Sequence, residues 1–248
     1  MPATSRDAGD ISVIVPVWRE SEAVVAMLRA VARWPEVREV IVACAEETAE
    51  FRIAVEAAGA LCVSAGRPNR GRQMNLGARH GGGEWLLFQH ADTELTRAHV
   101  RALAALRGAV GGAFHRKFDA RHPHCRWIEL VERWRNRHFG ALFGDQSIFV
   151  RRAHFQRLGG FADIPLMEDM EFSRRLRRSG PIALLDPPIA TSMRKHKAQG
   201  GWRTTLTNAT LILFYKLGVS PERLHAWYYG IRKPVETSTP ALTQTHEN

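Results

Sequence analysis

Within roughly the first ninety residues, short apolar runs alternate with helical stretches. That alternation restricts the fold more than any other feature of the chain. Ile11 to Val17 (Ile-Ser-Val-Ile-Val-Pro-Val) is β-branched and bounded by polar residues, the pattern of a strand buried in a parallel sheet. Ser21 is placed to cap a helix that runs to about Arg33, with Val24, Val25, Leu28 and Val31 on one side. Glu39 to Cys44 predicts a second buried strand, a helix follows around Glu47 to Ala58, and Ala60 to Ser64 predicts a third strand. Asn69 to His80 is polar and helical in pattern, stopped by Gly81-Gly82-Gly83, and Glu84 to Gln89 predicts a fourth strand. A β-α-β-α-β-α-β order implies a mostly parallel central sheet with helices on both faces, a Rossmann-like α/β fold.

The pattern then changes. Thr96 to Arg107 reads as a helix, and Val110 to Phe118 as a strand entered through glycines. Pro123 to Phe139 reads as an amphipathic helix with Trp127, Leu130, Val131 and Trp134 as its apolar stripe. Ser147 to Val150 predicts a short strand, Glu168 to Ser179 a strongly charged helix, and Ile182 to Leu185 a last strand. Trp202 to Leu217 and Pro221 to Gly230 predict two closing helices. No internal repeat or linker interrupts this order, so a single domain over 11–232 is expected, after a flexible 1–10 and before a disordered polar tail at 233–248.

With 248 residues and 45% hydrophobic content, the chain suits one well-packed domain. Its formal net charge of +10 comes mainly from arginine, whose planar fork matches phosphate oxygens and favours an anionic partner. Nucleic acid, a nucleotide, a phospholipid surface or a phosphorylated acceptor would each satisfy that preference, and charge does not choose among them. Met1 to Asp10 is short and polar, without the apolar core of a signal peptide. Cys44, Cys62 and Cys125 form neither a metal-type spacing nor an even framework. Cys44 and Cys62 fall in strand-like runs and read as buried, inert thiols, which fits a reducing cytoplasm. No apolar run reaches the ~18 residues that span a bilayer.

Several segments carry chemistry-bearing side chains. His90-Ala-Asp92-Thr-Glu94 follows the fourth strand directly, at the carboxyl edge where open α/β sheets bind ligands. Asp92 can hold a hard divalent cation that also grips two phosphate oxygens, or the segment is a solvated turn in which Asp92 or Thr93 caps the next helix. Met167-Glu168-Asp169-Met170-Glu171 opens the charged helix. Its acids either complement the helix dipole or supply a general base for an acceptor hydroxyl. Met193-Arg194-Lys195-His196-Lys197 suits a pyrophosphate leaving group or is a solvated basic loop. His196 is a candidate metal ligand, although a lone histidine is usually structural. Gly66-Arg67-Pro-Asn-Arg70-Gly-Arg72-Gln73-Met-Asn75 precedes and opens a helix, an arrangement that binds anions or forms an ordinary polar loop.

Taken in order, these motifs resemble the family 2 glycosyltransferases, and among them a bacterial subgroup whose metal motif reads His-Ala-Asp-Thr. The likeness starts with strand-Pro16-x-x-x-Glu20, Gly71-Arg-Gln-Met-Asn-x-Gly-Ala and His90-Ala-Asp-Thr. It continues with Gly112-Ala-Phe, Gly144-Asp-Gln-Ser-Ile-Phe-Val-Arg-Arg, Gly159-Gly-Phe and Pro165-Leu-Met-Glu-Asp-Met-Glu-Phe-Ser-Arg-Arg-Leu. The likeness runs from about Ile11 to Gly230.

It implies a GT-A fold, a nucleotide-diphosphate sugar donor and a divalent cation, Mn or Mg, bridging the diphosphate. By position, Asp92 corresponds to the metal-binding acid, and His90 takes the place of the motif's first Asp. Asp169 lies where the family carries its base, with Glu168 beside it. Pro16 and Glu20 fall in the segment lining the nucleoside pocket, and Gly144-Asp145-Gln146 falls beside donor sugar and acceptor. Arg67, Arg72, Asn75, Arg194 and Lys195 are expected on the donor. One departure stands out: where the family carries Asp-Gly or Asp-Asp after the second strand, this chain has Ala43-Cys44-Ala45-Glu46-Glu47, with Glu46 the nearest acid.

The expected chemistry is hexosyl transfer by single displacement with inversion, under a lid from Lys195 to Gly201. A nucleotidyltransferase is the alternative enzyme, but Pro16-Val-Trp-Arg-Glu is not the early glycine-rich loop such an enzyme carries. A non-catalytic module binding anionic lipid or RNA is the alternative of a different class. Nucleic acid is not the expected partner. Trp202, Leu206, Leu211, Ile212, Leu213, Phe214 and Tyr215 make the closing helices apolar enough to pack on the domain or to rest on the inner face of a membrane. A lipid-linked acceptor is compatible with that.

Overall fold

The computed structural model describes residues 10–18, 22–91, 93–118, 142–191 and 201–231. The first half follows the predicted alternation: β1 (Ile11–Trp18), α1 (Glu22–Val31), β2 (Val37–Ala45), α2 (Ala49–Ala57), β3 (Leu61–Gly66), α3 (Arg70–His80) and β4 (Trp85–Phe88). A two-residue β5 (Thr93–Glu94), α4 (Arg97–Ala105) and β6 (Gly111–Phe118) come next. A 3-10 turn (Gly144–Gln146) leads into β7 (Phe149–Arg151), α5 (Arg152–Arg157), α6 (Glu168–Ser179), β8 (Ile182–Thr191), α7 (Gly201–Lys216) and α8 (Pro221–Ile231). The helix expected over Pro123 to Phe139 lies outside the described residues, as do the terminal segments.

The strands form one sheet in the order β3-β2-β1-β4-β7-β6-β8-β5. β3, β2, β1 and β4 are mutually parallel, as the crossover helices require. β7 enters antiparallel to both β4 and β6, β8 pairs parallel with β6, and β5 closes the edge antiparallel to β8. β8 extends well past the expected Leu185. Phe114 pairs with Leu185 and Arg116 with Ile189, so Asp186-Pro187-Pro188 bulges out opposite the single residue His115. Prolines that would interrupt a ladder are accommodated in that bulge, and pairing resumes beyond it.

Both faces of the sheet are covered. On one, Val13, Val15, Val42 and Leu87 pack with Val24 and Leu28 of α1, Phe51 and Val55 of α2, and Val100 and Leu103 of α4. On the other, Ile14, Leu86, Phe88 and Val150 meet Met74 of α3, Phe155 of α5, and Phe172 and Leu176 of α6. Phe88, Phe161 and Phe172 form a run of ring contacts at 4.9 and 4.5 Å. Fully burying a side chain of this size stabilises the fold by about 1.5–3 kcal/mol, so this cluster anchors α6 firmly to the sheet. Cys44 and Cys62 are buried free thiols with Sγ atoms 3.5 Å apart, and burial pushes both thiols above their ordinary value. Thr96 is the N-cap of α4, and its backbone N–H donates to His99 Nδ1 at 2.9 Å. Thr93 therefore does not cap that helix.

Candidate active site

The carboxyl ends of β1, β2 and β4 share one edge of the sheet, and polar side chains tie them together there. Trp18 closes β1 opposite Ala45 of β2. Its indole Nε1–H donates to Glu46 Oε2 at 3.0 Å, and the residue is 45% exposed. Glu46 reaches Trp18 because its backbone turns into the left-handed region (φ 58), with its N–H donating to Gly66 O at 3.1 Å. From α3, the buried amide of Gln73 donates to Val17 O at 2.7 Å and Ala43 O at 2.9 Å. Both carbonyls lie near the carboxyl ends of β1 and β2, so the glutamine ties the two strand ends to α3. Pro16 pairs in register with Ala43 beside them.

The turn after β4 is braced by Gln89, which is fully buried. Its Nε2 donates to His90 O and Thr93 O, both at 2.9 Å, and lies 2.6 Å from Thr93 Oγ1. Ser147 Oγ donates to Gln89 Oε1 at 2.7 Å, and Ser147 is itself left-handed (φ 50). The backbone on both sides of Asp92 is thus held to the core, while Asp92 itself lies outside the described residues. The His90 ring packs against Gly144: a Cβ added there would fall 2.5 Å from His90 Cε1.

Gly144 connects this turn to the acids of α6. Its N–H donates to Asp169 Oδ2 at 2.9 Å, and Met170 N–H donates to Asp169 Oδ1 at 2.8 Å. Arg70, the first residue of α3, donates from Nε to Glu168 Oε1 and from Nη2 to Asp169 Oδ2, the latter at 3.5 Å. α3 and α6 approach closely enough for this because position 71 is glycine. A Cβ there would sit 2.9 Å from Ala162 O. Beside the pair, Arg116 of β6 is salt-bridged to Asp145 of the 3-10 turn.

Glu168 and Asp169 are 2% and 7% exposed, and Met167, the N-cap, makes no side-chain cap bond and is left-handed (φ 68). The acids are therefore not simple helix caps. Burial lifts Asp169 above the usual carboxylate range. The Arg70 charge opposes that lift, and the Glu168 charge adds to it. A carboxylate raised toward neutrality and held by fixed donors is a good proton acceptor. Among the described residues, Glu46, Ser147 and Met167 are the three non-glycine positions with positive φ, and each belongs to this site. Such backbone strain is of order 1–3 kcal/mol per residue and concentrates at functional loops.

A family model described as glycosyl transferase family 2 matches residues 12–149, more than half of the 248 residues. The chain belongs to glycosyl transferase family 2. No protein of curated function matches it. Among solved structures, S. aureus TarS 1-349 is similar with a TM-score of 0.59 and 18% identity, covering 74% of this chain and 60% of that one. Glucosyl-3-phosphoglycerate synthase from Mycobacterium tuberculosis, in complex with Mn2+, uridine diphosphate and glucosyl-3-phosphoglycerate, is similar with a TM-score of 0.53 and 18% identity. It is covered to 70%, against 74% of this chain. The chain thus spans less than two thirds of the TarS fragment. These neighbours are GT-A glycosyltransferases, and the single Rossmann-like α/β domain described above has their architecture.

Within this family 2 domain, other residues singled out in the sequence have different surroundings. Arg72 donates to both carboxylate oxygens of Asp163, at 2.6 and 2.7 Å, on the surface. Asn75 Nδ2 donates to Phe161 O and its Oδ1 accepts from Phe161 N, each at 2.8 Å. Both side chains hold the 159–163 loop on α3, so a donor contact would have to replace these bonds. Arg67 is exposed just past β3. Glu20, Asp92, Arg194, Lys195 and His196 lie outside the described residues, and among the described ones no cluster of three His, Cys, Asp or Glu could hold a metal. Trp18, Gln89 and Arg116 are not among the candidate site residues of the sequence, and Arg70 and Gln73 enter there only within the anion-binding segment Gly66 to Asn75. The usable signal was a glutamine inside or at the end of an apolar strand-and-helix pattern, where burial obliges it to find partners.

Proposed function

We propose that this protein is an inverting hexosyltransferase that moves a sugar from a nucleotide-diphosphate donor to an acceptor hydroxyl. The observation carrying this is the contact chain His90–Gly144–Asp169. It brings the strand-end turn that would hold the donor's diphosphate up against a buried carboxylate of raised basicity.

The related synthase is bound to Mn2+ and uridine diphosphate. Here a divalent Mn or Mg ion would sit at Asp92, flanked by His90, with His196 as a further ligand. Carboxylate and phosphate oxygens form a donor set that suits a hard cation. Such an ion supplies neutralisation of the charge that develops on the leaving diphosphate.

The chain's own residues do the rest. Pro16, Glu20 and Trp18 would form one wall for the nucleoside, with Glu46 holding the indole N–H. Arg67, Arg194 and Lys195 offset diphosphate charge. The acceptor oxygen attacks the anomeric carbon, the bond from that carbon to the diphosphate oxygen breaks, and the hydroxyl proton passes to Asp169. Asp145, set by Arg116, and Glu168, set by Arg70, flank that step. Two buried thiols support a reducing, cytoplasmic setting.

The test is calorimetric titration of uridine diphosphate with manganese and with chelator, on the wild type and Asp92→Ala. Tight binding is expected only for the wild type with metal. Equal affinity in every arm would remove the metal and the donor site from Asp92.

A further inference from the structure

We propose that the outer face of α7 and α8, with the basic groove beside it, is a docking surface for an anionic lipid bilayer. α7 is apolar on two sides. Its inner side packs Leu211 and Tyr215 with Met167, Met170 and Leu224, attaching the closing helices to the start of α6. Its outer side presents Leu206, 70% exposed, and Leu213, 54% exposed, and Leu217, one residue past its end and 70% exposed, continues the last turn through its N–H to Leu213 O. These three positions are separated by seven and four residues, so they form one stripe along the helix. Phe214 borders the stripe, and Trp227 of α8 extends it with a ring contact at 6.3 Å. Among the described residues the other large apolar side chains that are exposed are scattered, and an exposed stripe of this kind marks a surface that meets something.

Leu217 ends the stripe and lies between Lys216 and Gly218, both of which line a groove of about 1010 Å3 between α6 and the α7–α8 turn. Arg174, Arg177 and Arg178 line its other wall. Glu171 is the one carboxylate among the lining residues, and Arg175 engages it, with Nε 2.8 Å from Oε1. Cationic side chains thus outnumber the carboxylate among the lining residues, and the groove adjoins an apolar stripe.

One occupant accounts for both features. An anionic bilayer offers phosphate headgroups to the groove and acyl chains to the stripe. A soluble phosphate would account for the groove alone. A second copy of this chain would cover the stripe, but two-fold pairing through it would bring two cationic grooves together. The inference stands apart from the transferase reading, since vesicle binding and nucleotide binding are read separately.

The experiment is co-sedimentation of the full chain with phosphatidylglycerol or phosphatidylcholine vesicles at about 0.1 M salt, where the Debye length is about 10 Å. The wild type should partition onto the anionic vesicles at least about tenfold better and be released by about 0.5 M salt. The triple variant Arg174→Gln, Arg177→Gln, Arg178→Gln should lose on the order of 100-fold. Leu213→Ser with Leu217→Ser should lose about tenfold or more. Both variants should keep wild-type melting and uridine diphosphate binding.

Equal partition onto both vesicle types would overturn the proposal, as would variants that bind anionic vesicles normally. Full displacement by millimolar glycerol phosphate would make the groove a soluble-anion site instead. A wild-type dimer that the leucine variant turns into a monomer would assign the stripe to self-association.

Discussion

Arg70 Nη2 lies 3.5 Å from Asp169 Oδ2, joining two residues 99 positions apart in the chain. Its positive charge offsets part of the upward pull that burial exerts on the Asp169 carboxyl. Arg70→Gln removes that offset, so Asp169 holds its proton to higher pH. Transfer requires the deprotonated form, and the acid limb of the kcat profile should therefore move to higher pH. Because the Arg70 side chain is 39% exposed, the loss of stability should be about 1–3 kcal/mol, below the range for fully buried pairs. An acid limb that stays in place would show that Asp169 is not the titrating base.

Asp169→Asn keeps the shape and one acceptor oxygen but cannot take a proton at neutral pH. Transfer should fall by about 100- to 10,000-fold while uridine diphosphate affinity stays within twofold or so. Retained activity within a few-fold would hand the role to Asp145 or Glu168.

Gly144→Ala tests the meeting point of turn and base. The added methyl would fall 2.5 Å from His90 Cε1 and 2.6 Å from Nε2, so the ring or the 3-10 turn must move. Activity should drop more than melting temperature does, because small displacements of reacting groups weigh heavily on rate. Wild-type kinetics would mean that the two segments adjust independently.

Gln89→Leu is close in volume yet removes the amide donor to Thr93 O and the acceptor of the Ser147 hydroxyl, while His90 O keeps the Thr93 hydroxyl and N–H. Each buried group left unpaired is worth about 1–3 kcal/mol, so the melting temperature should fall clearly. Titration should also show nucleotide affinity lost chiefly in the presence of manganese, because the brace acts on the turn that carries Asp92. Equal loss with and without the metal would disconnect the brace from metal binding.

The nucleoside wall can be probed at Trp18 and Glu46. Glu46 accepts from the indole, so the acid after β2 holds an aromatic face in place. Stacking on such a face is worth about 1 kcal/mol and varies little with the base. Trp18→Ala should therefore weaken uridine, guanosine and thymidine diphosphates alike, and the wild type should discriminate among them weakly. A preference above about 100-fold for one base, roughly 2.7 kcal/mol, would mean that other residues such as Glu20 or Arg67 read it.

The parallel half of the sheet could be read from the chain because β1, β2 and β4 are almost wholly buried and the strands are separated by helices of ordinary length. The other half could be read less well. β7 has three residues and α5 six, too short to show a period, and β8 passes through two prolines that normally end a strand. In the site, Asp169, Glu168 and His90 stood out because acids and a histidine follow strand ends or open a helix. Gln73 and Gln89 did not, because their meaning lies in partners: Gln73 bonds carbonyls 56 and 30 residues away. Arg72 and Asn75 show the converse. Their side chains suit anions, but the fold uses them on Asp163 and the Phe161 backbone.

α3 carries Gln73 at the ends of β1 and β2, and Arg70 at the acid pair, on a single helical turn. Under the proposed function, one helical turn would therefore join the nucleoside wall to the proton acceptor, and a nucleotide at the one would be linked to a proton on the other. Whatever a nucleotide does to the pitch of that turn alters the field at Asp169, and the proton on Asp169 must change nucleotide affinity by the same factor. Uridine diphosphate affinity should accordingly drift with pH in the wild type and lose that drift in Asp169→Asn.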